Sequence, residues 1–181
     1  MIRLHRLRNR LRGFVQADHG SVTLDFVLVL PVVLTILLAS FEAGYSMLRL
    51  VMLERALDIT VRDLRVGALG TAPTHNQVRA RFCEQATLMP ACMSDVKLEM
   101  QVIDRNTWTG FTTTPTCVDR TTTIEPALNF TQGGTNEVVT IRACAVFDPF
   151  FPTTKWGLRL DLDASGGYQL AAMSAFVNEP R

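Results

Sequence analysis

The sequence predicts an α+β protein in which a long N-terminal helix carries an antiparallel β-sheet. Three observations predict it. An uncharged apolar run fills residues 26–39; apolar residues then recur at helical spacing to about Val66; beyond residue 96 their period changes to two. A second, short helix is expected between the two regimes.

The apolar run reads FVLVLPVVLTILLA, and extending it to residues 22–47 gives a span interrupted only by Asp25 and Glu42. Crossing a bilayer takes about 20 residues at a rise of about 1.5 Å each. Asp25 and Glu42 stand about 25 Å apart on such a helix, close to the two membrane interfaces. Acids there cost less than the roughly 2.5–3.5 kcal/mol assigned to Asp at a span's centre. Tyr45 suits an outer aromatic belt. Pro31 is tolerable within a span and is expected to bend the helix or loosen its hydrogen bonds. No second apolar run of this length exists, so one anchor is expected.

The chain has 181 residues, 48% of them hydrophobic, and a net charge of +1 that hides an asymmetry. Residues 1–20 carry Arg3, Arg6, Arg8, Arg10 and Arg12 against a single acid, Asp18, so the remainder is net acidic. A basic flank ahead of an apolar run favours its retention in the cytoplasm. A basic arm for nucleic acid would leave the apolar run unexplained, and no nucleic-acid partner is expected. All four cysteines (Cys83, Cys92, Cys117, Cys144) follow the span, which suggests two disulfides in an oxidising compartment such as the periplasm. Four cysteines allow three pairings; loop length favours Cys83–Cys92 and Cys117–Cys144. A cleavable signal peptide would need small residues at a cut, whereas Leu38-Ala39-Ser40 and Phe41-Glu42-Ala43 place a bulky one three before it.

The boundary of the span carries a family resemblance. Gly20-Ser21 closes the basic leader, Asp25-Phe26 follows, then an apolar stretch with Pro31, then Phe41-Glu42-Ala43-Gly44. This pattern resembles a type IV prepilin-like leader, and more closely the TadE-like family of tight-adherence (Tad/Flp) pilus proteins; the ending 176–180 is also similar. The resemblance implies cleavage after Gly20 by a prepilin peptidase, leaving Ser21 as the mature N-terminus. It also implies that Asp25, at the fifth mature position, pairs with that new ammonium on a neighbouring subunit, offsetting the desolvation of both charges. The pilin pattern has Glu there, so Asp25 reaches one methylene less far. The expected organisation is a cytoplasmic leader over residues 1–20, a transmembrane helix over 21–47 and a periplasmic α+β domain over 48–181.

In the exported region Leu50, Leu53, Leu57, Val61 and Leu64 alternate with charged residues, predicting an amphipathic stalk broken at Gly67 and Gly70. Thr74 and Gln77 have capping-box spacing and open a second helix with Val78, Phe82 and Ala86 on its apolar face, ended by Pro90. Val96, Leu98, Met100 and Val102 alternate with Lys97, Glu99 and Gln101, predicting a half-buried strand. A second strand is expected over 137–147, and a hairpin joins 158–162 to 168–176 through Ser165-Gly166-Gly167. Residues 104–135 read as an exposed loop pinned by Cys117. The Phe147–Pro152 stretch reads as buried core, with a partner surface as the other reading.

No enzyme chemistry is expected. The histidines are His5, His19 and His75, no CxxC or metal-ligand spacing occurs, and no P-loop, nucleophile elbow or dinucleotide fingerprint is present. Asp161 and Asp163 read as a solvated strand face, and Asn129-Phe130-Thr131 is a chance-prone glycosylation triplet. Neither a cofactor nor a metal is implied. The leading reading is a minor pilin or pseudopilin of the inner membrane, acting with other pilin-like subunits and the assembly machinery. The rival is a periplasmic binding or catalytic domain on an uncleaved signal anchor.

Overall fold

The computed structural model describes residues 21–89, 91–110, 114–122, 129–151 and 162–179. The leader with Gly20, Pro90 and the expected strand residues 158–161 lie outside them. Six elements follow in order: α1 (Ser21–Arg65), α2 (His75–Gln85), α3 (Cys92–Asp95), β1 (Val96–Val102), β2 (Val138–Phe147) and β3 (Tyr168–Val177). The expected α+β architecture is present, with the strands in the order β1-β2-β3, all antiparallel.

α1 is one continuous helix of 45 residues and passes through Pro31 without interruption. Its second half is amphipathic as expected. Leu53, Ala56, Leu57, Thr60, Val61 and Leu64 are buried at three- and four-residue spacing. The buried Thr60 hydroxyl donates to the Ala56 carbonyl one turn back, which satisfies it without a tertiary partner. The helix stops at Gly67, whose φ of 73° is the left-handed conformation a Schellman cap requires. There the Ala68 N–H donates to the Asp63 carbonyl at 2.9 Å and the Gly67 N–H to the Leu64 carbonyl at 3.2 Å.

α2 begins with the predicted capping box. The Thr74 N–H donates to Gln77 Oε1 at 2.8 Å, and the Gln77 N–H donates to Thr74 Oγ1 at 3.4 Å. Val78, Phe82 and Ala86 are buried as expected, but the helix ends at Gln85 rather than at Pro90. A turn over 86–89 leads instead into the short α3, and the Cys83–Cys92 disulfide ties the end of α2 to the start of α3.

The strand register places Val96, Leu98, Met100 and Val102 on one face with Val139, Ile141, Ala143, Ala145 and Phe147 of β2. Tyr168, Leu170, Ala172 and Phe176 of β3 continue that face, which packs against α1 and α2. Over β1 and β2 the opposite face departs from the half-buried strand expected, whereas on β3 Gln169, Ala171, Met173, Ala175 and Val177 leave it exposed. Lys97 and Glu99 on β1, and Thr140, Arg142 and Cys144 on β2, are all buried. The cover includes the segment of the 104–135 region around Cys117, held to the central strand by the Cys117–Cys144 disulfide. Glu99 stands directly opposite Arg142, whose Nε and Nη2 both donate to Glu99 Oε2, at 2.9 and 2.5 Å. Nor is that region simply an exposed loop. Phe130 forms a parallel bridge to Met100, which covers part of the free edge of β1.

Candidate functional site

Two features of α1 stand apart from ordinary core packing. Its first half is apolar and bare, and its middle is clamped to the head. The most apolar stretch of 18 residues has a mean hydropathy of 2.6, and none of it is buried against the rest of the molecule. Phe26 is 61% exposed and Leu28 69%. A bare surface of that composition on a folded protein calls for lipid or for another apolar helix. Asp25 lies exposed on this half, four residues beyond Ser21 at the helix start, and Pro31 is also exposed. Gly44 faces open space, with nothing within 4 Å of where a Cβ would stand.

Glu42 is only 4% exposed. Its carboxylate accepts the backbone N–H of Phe150 at 2.9 Å and of Phe151 at 3.3 Å. The acid expected merely to be tolerated at a membrane edge therefore organises the turn that follows β2. Phe41, Tyr45, Phe150 and Phe151 form an aromatic cluster around it, with Phe41 edge-on to Phe150 at 5.6 Å. The Phe147–Pro152 stretch divides accordingly: Phe147 is core, whereas Phe150 is 55% exposed.

One turn further along, the Arg49 guanidinium lies 4.4 Å over the Tyr45 ring and 4.8 Å over Phe147. Its Nη1 donates to the Asp148 carbonyl at 2.9 Å and to Tyr168 Oη at 2.7 Å. Burial raises the Tyr168 phenol above its ordinary range, and the Arg49 hydrogen bond opposes that shift only in part. Arg120 extends the clamp with two bonds to the Asp148 carboxylate, at 2.8 and 3.1 Å, and one to Ser165 Oγ. Those bonds hold the Asp148 carboxyl below the usual carboxylate range. Asp163, expected on a solvated strand face, instead accepts from the Ser165 and Gly167 N–H groups and shapes the turn before β3.

Glu42→Ala removes the acceptor of two N–H groups and is expected to cost about 1–3 kcal/mol. Amide exchange at Phe150 and Phe151 in the detergent-solubilised protein, compared with Glu42→Gln, measures it; unchanged protection would show the turn to be held by other means.

Sequence reasoning located Asp25, Phe26, Pro31, Glu42 and Gly44 and singled out the stretch containing the 148–151 turn, but missed Arg49, Tyr168 and the turn's link to Glu42. The available signals were a lone arginine where the stalk begins and an aromatic run following a strand. Cys83, Cys92, Cys117 and Cys144 are paired as loop length favoured. His75 packs its ring against Phe130 at 5.2 Å. Among the described residues no group of His, Cys, Asp or Glu is placed to hold a metal. A recess of about 240 Å³ at the far end of α1, lined by Leu64, Met100, Gln132, Phe176 and Asn178, holds no catalytic constellation.

These features define a class: an α+β head built on a single helix that is long and apolar enough to cross a membrane. Residues 20–62, the bare half of α1 and most of its packed half, match the family model described as TadE-like protein. That is the family the sequence resembles. No curated protein and no solved structure matches the chain.

Proposed function

We propose that this protein is a minor pilin or pseudopilin-like component of a Tad (Flp) pilus, anchored by one pass in the inner membrane with its head in the periplasm. It acts through assembly: residues 21–47 pack among the helices of other pilin-like subunits, while residues 48–181 form the exported head. The observation that carries this reading is the bare apolar half of α1 inside the TadE-like match. A prepilin peptidase removes residues 1–20, and the Ser21 ammonium then pairs with Asp25 of a neighbouring subunit. Such a pair offsets the desolvation each charge would suffer alone. Helices associating in lipid gain little from hydrophobicity, so a charge pair and close-packed small residues such as Gly44 set their register.

Intact-mass measurement of the membrane-extracted protein tests this. The expected mass begins at Ser21 for the native chain and includes the full leader for Gly20→Val, both forms remaining in the membrane. A native chain that keeps its leader would overturn the reading in favour of a signal-anchored periplasmic domain. A soluble product starting near residue 44 would defeat both.

A further inference from the structure

We infer that the turn over residues 148–151 is a second membrane-contact surface, by which the head seats on the outer lipid interface. The inference rests on α1 being a membrane span. From Val22 to Phe41 a helix rises about 28 Å, nearly the roughly 30 Å thickness of a bilayer's hydrocarbon core. Phe41 therefore stands at the outer boundary of that core. Phe150 meets Phe41 at 5.6 Å and Tyr45 at 5.8 Å, so the turn lies at the same depth. Phe41 and Phe150 are 51% and 55% exposed and adjoin the bare apolar surface of the span, so the patch is continuous with it.

The polar chemistry fits that depth. Loop backbone close to hydrocarbon needs its N–H groups satisfied from within the protein. The buried Glu42 carboxylate does this for Phe150 and Phe151. Arg49 withdraws its charge onto the Tyr45 and Phe147 rings, and Arg120 holds the Asp148 carboxylate. Aromatic rings facing lipid with paired charges immediately above them make an interfacial surface. The partner is the bilayer, and the head would rest on the membrane rather than stand clear of it.

Depth-dependent quenching tests this on the full chain reconstituted in phosphatidylcholine vesicles with brominated acyl chains. Single tryptophans are placed by Phe41→Trp, Phe150→Trp and Val66→Trp in a Trp108→Phe/Trp156→Phe background. Emission from Phe41→Trp and Phe150→Trp is expected to fall by about half, as for groups within the acyl boundary, while Val66→Trp is unaffected. Quenching at Phe41→Trp without quenching at Phe150→Trp would overturn the seating and leave the span intact. Absence of quenching at both would overturn the span and the seating with it. Phe151→Trp, half-buried one residue on, repeats the measurement should Phe150→Trp disturb the turn.

Discussion

Replacing Arg142 by methionine is expected to destabilise the head by about 3–5 kcal/mol, the usual cost of removing one partner from a buried ion pair. Glu99 and Arg142 have side chains only 6% and 8% exposed and face each other across β1 and β2. Methionine leaves the Glu99 carboxylate inside the protein without the guanidinium that neutralises it. Glu99→Leu alone is expected to cost a similar amount. The double change is the sharper test, because it removes both desolvation penalties and is expected to recover most of the loss. Urea unfolding of the detergent-solubilised protein reads all three variants. Single changes costing under about 1 kcal/mol would place the pair in solvent-like surroundings, since exposed pairs are worth no more.

That pair also marks where sequence and structure part. The stalk was legible because Leu53, Leu57, Val61 and Leu64 obey one helical period and Gly67 supplies the only conformation its cap accepts. The inner face of the sheet was legible for the same reason, through the period of two in β1 and β2. Charged Lys97 and Glu99 between apolar neighbours read as a solvated face, because periodicity records alternation and not what lies over it. Their cover has an irregular composition rich in Thr and Pro, with no repeat to detect. The one clue was a cysteine, Cys117, whose partner on β2 only the folded chain identifies.

The site was half legible on similar grounds. Asp25, Pro31 and Glu42 stand out because they interrupt an apolar helix, and local contrast is what sequence displays. The use made of Glu42 is not local: its hydrogen-bond partner Phe150 is 108 positions away. Arg49 and Tyr168 are likewise joined across 119 positions. The clamp between span and head is therefore written in contacts that no window of sequence contains.

Serine at both Cys117 and Cys144 is expected to cost about 3.5 kcal/mol, against about 2.5 kcal/mol for serine at Cys83 and Cys92, from the loop-closure entropy of each ring. The two sequence separations are 27 and 9 residues. The disulfides also differ in what they hold. Cys83–Cys92 joins two neighbouring helix ends, whereas Cys117–Cys144 holds the cover over the sheet face that contains Glu99 and Arg142. Losing the second disulfide frees the cover and admits water to the ion pair. The two perturbations must then be coupled. In the Cys117→Ser/Cys144→Ser background, Arg142→Met is expected to cost only about 1 kcal/mol, the value of a solvated pair, while in the Cys83→Ser/Cys92→Ser background its full cost remains. Equal costs in both backgrounds would show that the cover stays closed without its disulfide, and the seal over the ion pair would then have to come from packing alone.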